Sequence, residues 1–344
     1  MIKIKILNPT THRNEPTFRP FFFIKEMLKD YSIEITESDD CDFLFVGMED
    51  FYSKNKSIEE STDLGLENLH KITEGGDYFL FDGQDSTSIM GAYEVFEQSD
   101  SIYLFKNQTL KSRKEYKVPY YVNKWFFGKD MEMGMSYDIP KSKWDRIKLT
   151  GWNLGTLLPH YKEFQPINKQ KNIDLCAIYS SDHGRSEEHK FRNDMSYIEH
   201  RKSAWNMLND NDMKGFDIRT SKLPFEEYIG ILYNSKFSLS PFGMGEICFR
   251  DFECMQFGTT IIKPDMSMIR TKPNIYVGDE TYIKVDYHWK DLKEKLKEVL
   301  GNFEKYSYII NNFRERYKKE YTQENLCLHW YNIFKNLSNI KEEI

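Results

Sequence analysis

The chain has 344 residues, of which 40% are hydrophobic and 30% charged, and its formal net charge is −6 at pH 7. This length exceeds what one hydrophobic core usually covers, so two domains are expected. The negative charge argues against a protein that binds nucleic acid mainly by electrostatics, and no run reaches the roughly 20 apolar residues of a membrane-spanning helix.

The first half of the chain alternates predicted strands with helices. The pattern predicts a strand over 1–7, a helix over 18–31 and a buried strand over 42–47. Two further strands are predicted over 77–86 and 101–108. This order of elements favours an α/β layer architecture.

The best domain boundary lies in residues 151–172, which hold two glycines and two prolines. The alternation then resumes with strands over 173–180, 215–221 and 259–263, helices over 195–210 and 224–235, and a largely helical tail over 289–337. We therefore expect two Rossmann-like doubly wound domains, 1–165 and 166–320, followed by a C-terminal helix in 321–344.

The cysteines and histidines favour no metal site. The five cysteines are scattered, and none forms a CxxC pair or a zinc-ligand pattern with histidine. Reduced, mostly buried thiols are the expectation, with no metal bound.

Three charges interrupt an otherwise apolar stretch in residues 236–264. On a helix over 246–257, Glu246, Arg250 and Glu253 stand at i, i+4 and i+7, which places them on one face. Gly258 favours the end of that helix. The simple alternative is an ordinary surface ion pair between Glu246 and Arg250.

The loop before this helix begins at Pro241 and holds Gly243 and Gly245. Glycines at a strand-to-helix junction let backbone N–H groups approach a ligand, and a helix N-terminus adds partial positive charge, so the loop predicts an anion site for phosphate. Arg250 would add a bidentate phosphate contact. Glu253 would accept hydrogen bonds from a ribose. The alternative is that the glycines only shape a turn.

The run SKFSLSPFGMGEICFRDFECMQFGTTIIKPD, residues 235–265, resembles the donor-binding motif of exostosin-like glycosyltransferases of the GT-B type. That motif has a Ser-Pro or Cys-Pro loop with glycines, a helix with an arginine and an acidic residue, and a small-residue turn. Thr260 stands where a proline is usual. The resemblance implies that 166–320 holds a nucleotide-sugar, that 1–165 holds the acceptor, and that the C-terminal helix packs back on the N-terminal domain. The candidate residues for binding the nucleotide-sugar donor in this run are Pro241, Gly243, Gly245, Glu246, Arg250 and Glu253. It also implies a metal-independent reaction, in which basic residues and a helix dipole stabilise the leaving diphosphate.

The loop over 180–192 follows the first strand of the second domain, where open α/β sheets bind ligands. Ser181 and Arg185 are therefore candidate donor-binding residues, and Arg185 is also a candidate to neutralise the leaving group. Arg201, on the next helix, is a further donor candidate, because exostosin-like proteins often carry an arginine there. The alternative is a polar loop and a solvated helix face.

The N-terminal half offers candidates for the acceptor side. Asp82 and Asp85 follow a predicted strand, and either is a candidate for the carboxylate base that an inverting transfer needs. The alternative is an Asp-Gly turn. His12 and Arg13 follow the first strand and are candidate acceptor-binding residues, with a plain surface loop as the alternative.

We therefore predict a glycosyltransferase that moves a sugar from a nucleotide-sugar, UDP- or GDP-linked, to a glycan or glycolipid hydroxyl, with no further cofactor. Two alternatives stay open: a non-catalytic sugar- or nucleotide-binding module of the same fold in a glycan-assembly complex, and a phosphate-ligand enzyme such as an epimerase. We expect a cytoplasmic location, with peripheral contact at the inner membrane surface as a further partner and no nucleic acid. The sequence does not distinguish inverting from retaining transfer.

Overall fold

The computed structural model describes residues 1–7, 14–48, 57–117, 136–151, 163–180, 195–243, 245–335 and 337, with backbone alone for 14–16 and 195–199. Every structural statement below concerns these residues.

Seven strands form in the first half of the described chain, and six of them make one parallel sheet, the N-terminal sheet. They are β1 (Ile2–Ile6), β2 (Ile33–Thr36), β3 (Phe43–Gly47), β4 (Tyr78–Asp82), β5 (Leu104–Lys106), β6 (Gln108–Leu110) and β7 (Ile147–Leu149). The sheet order is β2-β1-β3-β4-β5-β7. The edge strand β2 lies where the sequence predicted no element.

Four helices accompany this sheet: α1 (Asn14–Asp30), α2 (Ile58–Thr73), α3 (Ala92–Gln98) and α4 (Lys141–Asp145). Helix α1 buries Phe18, Phe21, Ile24 and Leu28 against the sheet. These positions recur at helical spacing, so the apolar stripe explains why the segment forms a helix on the sheet. Helix α2 begins at a capping box, in which the Ser57 hydroxyl accepts from Glu60 N and the Glu60 carboxylate accepts from Ser57 N.

Five of the later strands form a second parallel sheet, the C-terminal sheet, in the order β13-β11-β10-β8-β9. The later strands are β8 (Ile173–Cys176), β9 (Ile218–Arg219), β10 (Ser235–Leu239), β11 (Thr260–Pro264), β12 (Ile269–Thr271) and β13 (Ile283–Val285). The later helices are α5 (Met195–Leu208), α6 (Phe225–Asn234), α7 (Phe249–Phe257), α8 (Leu292–Leu300), α9 (Phe303–Tyr306), α10 (Tyr308–Glu320) and α11 (Gln323–Phe334). The prediction of an α/β protein with two parallel, doubly wound sheets is confirmed.

The two halves of the chain contact each other through a small ladder and through the last helix. Strand β6 pairs antiparallel with β12, with Leu110 opposite Ile269. Helix α11 inserts the buried Trp330 among aromatic rings of the N-terminal half, with ring centroids 4.6 Å from Phe21 on α1 and 4.9 Å from Phe105 on β5. The C-terminal helix therefore packs on the first sheet although it follows the second in the chain.

Helix α7 begins at Phe249, three residues later than the sequence predicted. Cys248 is its N-cap, and its backbone N–H donates to the Asp251 carboxylate over 3.2 Å. Gly258 ends the helix in the left-handed region, with φ of 73°, as predicted for a glycine there. Glu246 consequently lies in the loop before α7 and does not share a helical face with Arg250 and Glu253.

Candidate functional site

A cavity of about 440 Å³ opens at the carboxyl ends of β8 and β10, where α6 and α7 begin. Parallel α/β sheets bind ligands at this edge. Six residues singled out in the sequence line the cavity: Asp85, Arg201, Gly243, Gly245, Arg250 and Glu253.

Arg250 is the cation best placed to receive a ligand. One of its Nη atoms donates to the Ile178 carbonyl over 2.7 Å, and its guanidinium lies 5.6 Å from the centre of the Tyr179 ring. Its Nε is buried and has no hydrogen-bond partner among the described residues. A buried N–H without a partner costs free energy, so an anion in the cavity would stabilise this side chain.

Glu253 lies one turn further along α7 and is oriented by a tyrosine. The Tyr228 hydroxyl donates to Glu253 Oε2 over 2.6 Å. Burial raises the pKa of Tyr228, so the phenol stays protonated and acts as the donor. The carboxylate is thus held at the cavity wall, where it can accept hydrogen bonds from a hydroxyl-bearing ligand.

Arg201 adds positive charge to the cavity from α5. The side chain is largely buried; its Nε donates to the Phe242 carbonyl over 2.9 Å and an Nη donates to the Ser180 carbonyl over 3.1 Å. A Cβ at Gly243 would come within 2.6 Å of its other Nη. A side chain at position 243 would therefore force the Arg201 guanidinium to shift.

The second loop glycine, Gly245, lies against the N-terminal half of the molecule. A Cβ at Gly245 would overlap the backbone carbonyl of Asp85. The Gly243 N–H, moreover, donates to the Gly245 carbonyl over 3.0 Å. Both glycines thus allow the close approach of protein groups, a role that the sequence did not predict, and their predicted contact with a ligand stays a prediction.

Glu246 does not line the cavity, which corrects its prediction as a donor-binding residue. It is completely buried and accepts hydrogen bonds from Thr87 N at 3.1 Å, Thr87 Oγ1 at 2.9 Å and Gln108 Nε2 at 2.9 Å. Burial raises the pKa of the Glu246 carboxyl, and the hydrogen bonds from Gln108 and Thr87 oppose that rise. Its role is to join the loop after β10 to the N-terminal half.

Pro241 is likewise buried and absent from the cavity wall among the described residues. Its carbonyl accepts a weak hydrogen bond from the Cys248 thiol over 3.7 Å. Its side chain therefore belongs to the packing of the loop and not to the predicted donor contact.

Asp82 and Asp85, the two candidate bases, lie in different environments. Asp82 is completely buried and pairs with the completely buried Lys106 over 2.6 Å. Asp85 lines the cavity and is accessible from it. Crowding by protein atoms, and secondarily the nearby Asp82, raises the pKa of the Asp85 carboxyl. The candidacy of Asp82 as the base is thus corrected, because its carboxylate is completely buried and already neutralised by Lys106.

Four predicted site residues lie outside the described residues: Ser181, Arg185, His12 and Arg13. Their assignments stay predictions.

Aromatic residues at the cavity were not among the predicted site residues. Phe225 and Phe249 line it and are 62% and 53% exposed. Each is the first residue of a helix, α6 and α7, that starts at the carboxyl edge of the sheet. The predicted helix start after Pro224 was the signal that could have placed Phe225 at this edge.

Within the described ranges, no group of three or more His, Cys, Asp or Glu side chains is arranged to hold a metal ion. All five cysteines are free thiols. Among the described helices, none combines the length and the apolar content that crossing a membrane requires.

Solved structures show the same architecture at very low sequence identity. The chain is similar to HepE from Anabaena, solved in complex with UDP-glucose, with a TM-score of 0.50, 8% identity, and coverage of 98% of this chain and 100% of that chain. Sucrose-phosphate synthase from Thermosynechococcus elongatus matches with a TM-score of 0.47, 12% identity, and coverage of 98% and 100%. A glycosyltransferase from Rickettsia africae matches with a TM-score of 0.39, 12% identity, and coverage of 99% and 98%. No family model and no curated protein matches the sequence.

The chain has the GT-B fold. It contains two parallel α/β sheets, as in glycosyltransferases of that type. The assignment to the exostosin-like family stays a prediction.

Proposed function

We propose that the protein is a glycosyltransferase that moves a sugar from a nucleotide-sugar to a hydroxyl group of a glycan or glycolipid. The observation that carries this proposal is the cavity wall formed by α7. There a guanidinium with a buried, unpartnered N–H lies one turn from a carboxylate held by a tyrosine. These two side chains suit a ligand that has an anionic group and a hydroxyl-bearing group about one helical turn apart. A nucleoside diphosphate, with its phosphates and its ribose, is such a ligand.

In this proposal Arg250 binds the diphosphate and Arg201 adds positive charge beside it. Both cations stabilise the negative charge that develops on the diphosphate as its bond to the sugar breaks. Glu253 accepts hydrogen bonds from the ribose hydroxyls. The exposed rings of Phe225 and Phe249 provide apolar faces on which the base or the sugar packs.

Asp85 is the proposed general base of an inverting transfer. Its carboxylate takes the proton of the acceptor hydroxyl as that oxygen attacks the anomeric carbon and the diphosphate leaves. The raised pKa of Asp85 makes its carboxylate a stronger base than an ordinary aspartate. Asp82 is excluded from this role by its ion pair with Lys106.

The first test is a thermal-shift screen with UDP, GDP, ADP, CMP and their sugar derivatives. A ligand that binds the folded protein raises the melting temperature by mass action. UDP-sugars come first, because the HepE structure contains UDP-glucose. We expect one nucleotide to stabilise the protein, and a flat response to all of them would contradict the proposal.

Matched arginine variants assign the effect to the cavity. Arg250→Ala should abolish the shift, whereas Arg219→Ala should keep it, because Arg219 is exposed on β9 and pairs with Asp217. Product analysis with the bound nucleotide-sugar and a panel of glycan acceptors then decides the reaction. Transfer supports the proposal, an altered sugar without acceptor indicates an epimerase, and binding without any product indicates a non-catalytic module.

A further inference from the structure

A second cavity, of about 470 Å³, lies along β7, the last strand of the N-terminal sheet. We call it the β7 pocket. Its wall combines residues from three segments: Trp144, Asp145 and Lys148 around β7, Arg270 and Lys272 around β12, and His329 on α11. It shares no lining residue with the cavity at the C-terminal sheet.

Positive charge dominates the β7 pocket. Lys148, Arg270 and Lys272 contribute three cations, and none of them forms an ion pair within the described part of the chain. Asp145 is the one carboxylate among the described lining residues, and it is paired with Lys141 outside the pocket. Asp145 also attracts Lys148, so within the described residues a single carboxylate, already paired with Lys141, opposes three cations in the pocket wall.

Aromatic rings and neutral oxygens hold two of these cations in place. The Arg270 guanidinium lies 5.0 Å from the centre of the Trp144 ring, and its Nε donates to Thr109 Oγ1 over 3.1 Å. The Lys148 ammonium lies 5.0 Å from the centre of the Tyr103 ring. Both side chains are thus pre-positioned, so less conformational entropy is lost when a ligand binds.

Partial burial makes these cations costly without an anion. Desolvation lowers the pKa of Lys148 and of Arg270. His329 adds no charge at neutral pH, because burial lowers its pKa to about 4, although the 2.8 Å hydrogen bond between its Nε2 and the Leu149 carbonyl opposes that shift. A bound anion would offset the cost of holding Lys148 and Arg270 away from water.

We propose that the β7 pocket is a second binding site, which takes the phosphate group of a soluble phosphate ester or of a lipid headgroup. Arg270 presents a planar fork suited to two phosphate oxygens, and the two lysines add point charges around it. This site is independent of the proposed sugar transfer, since no residue assigned to that reaction contacts it.

A purely structural explanation makes a different prediction. Cations at the outer strand of a sheet discourage pairing with another chain. Lys148 on β7, and Arg270, which donates to the Ile147 carbonyl of that strand, would serve that purpose alone. In that case the pocket would bind phosphate no more tightly than an isolated lysine elsewhere on the protein surface does.

Calorimetric titration with inorganic pyrophosphate at constant ionic strength separates the two explanations. The titrations use the Arg250→Ala protein, because this substitution weakens pyrophosphate binding in the proposed donor cavity. Lys272→Gln and Lys148→Gln, each added to that background, should weaken binding about tenfold, which corresponds to the loss of one charge-assisted hydrogen bond. Lys272 is exposed, so its replacement leaves folding intact. Lys71→Gln, an exposed lysine on α2, is the matched control and should bind like the background.

Absence of pyrophosphate binding at millimolar concentration would overturn the proposal, as would binding that neither Lys148→Gln nor Lys272→Gln weakens. Co-sedimentation with phosphatidylcholine vesicles, with and without phosphatidic acid, identifies the source of the phosphate. Lys272-dependent binding to the phosphatidic acid vesicles assigns a lipid headgroup, and Lys272-dependent binding of pyrophosphate alone assigns a soluble ligand.

Discussion

Charged residues lie at the carboxyl edges of both parallel sheets, but they are neutralised within the protein at one edge and available to a ligand at the other. At the N-terminal sheet, Asp82 and Lys106 neutralise each other in complete burial. At the C-terminal sheet, Arg250 is held by a carbonyl and a ring face and keeps a buried N–H without a partner among the described residues. A charged residue at the binding edge of a sheet is therefore a site residue only when no opposite charge within the fold has already neutralised it.

Helix α7 shows the same contrast between its two faces. Asp251 is completely buried, accepts hydrogen bonds from Ser240 Oγ at 2.6 Å and Tyr276 OH at 2.8 Å, and lies 3.0 Å from Lys263 Nζ. Arg250 and Glu253, beside it in sequence, line the cavity. One face of the helix anchors it in the core, and the other offers charges to a ligand.

The largest expected effect is the loss of sugar transfer when Asp85, the accessible one of the two aspartates, is replaced. Asp85→Asn should reduce sugar transfer by about 10²- to 10⁴-fold, because a general base is lost. The free energy of unfolding of Asp85→Asn should not fall, since Asp85 has no ion pair among the described residues and is accessible from the cavity. Transfer rates and urea unfolding measure the two quantities. Full transfer activity in Asp85→Asn would remove Asp85 from the mechanism.

Arg250 tests the ligand-facing side of the comparison. Arg250→Ala should lower kcat/KM by about 10²- to 10³-fold, the effect of removing one preorganised donor to a developing negative charge. Steady-state kinetics with saturating acceptor measure it. Arg219→Ala serves as the control, and equal losses in both variants would mean that Arg250 has no specific role.

The neutralised pair at the N-terminal sheet should respond through stability instead. Asp82→Asn leaves Lys106 as an unpaired buried cation, so the free energy of unfolding should fall by about 3–5 kcal/mol. Chemical denaturation of Asp82→Asn beside Asp85→Asn gives the comparison directly. A stable Asp82→Asn protein without transfer activity would reverse the roles assigned to the two aspartates.

The smallest effect concerns pH and the buried Glu246. Its folded-state pKa is raised, so its contribution to stability is fully present below the unfolded pKa of about 4.3 and is lost as pH rises through the folded value. The glutamine of Glu246→Gln cannot titrate, so the free energy of unfolding of this variant should decline less as pH rises through that range. Denaturation midpoints measured from pH 4 to 8 check this, and identical pH profiles for the two proteins would show that Glu246 does not titrate differently on folding.

Sequence reasoning succeeded where a pattern is local. Alternating apolar runs and helical stripes identified most strands and helices, and Gly258 identified the end of α7. It failed at Glu246, whose partners Thr87 and Gln108 lie 159 and 138 residues away in the chain. The spacing of Glu246, Arg250 and Glu253 suggested one helical face, but α7 begins at Phe249, and Glu246 is buried against the other half of the molecule.

The sequence by itself determined the α/β architecture and the loop–helix segment that forms one cavity wall, because backbone propensity and hydrophobic periodicity act over a few residues. Only the tertiary structure decided which charges in that segment are neutralised and which stay available to a ligand. That decision depends on partners brought in from distant strands, such as Lys106 for Asp82 and Thr87 for Glu246. Because the cost of burying a charge is offset only by such partners, no local pattern reveals it.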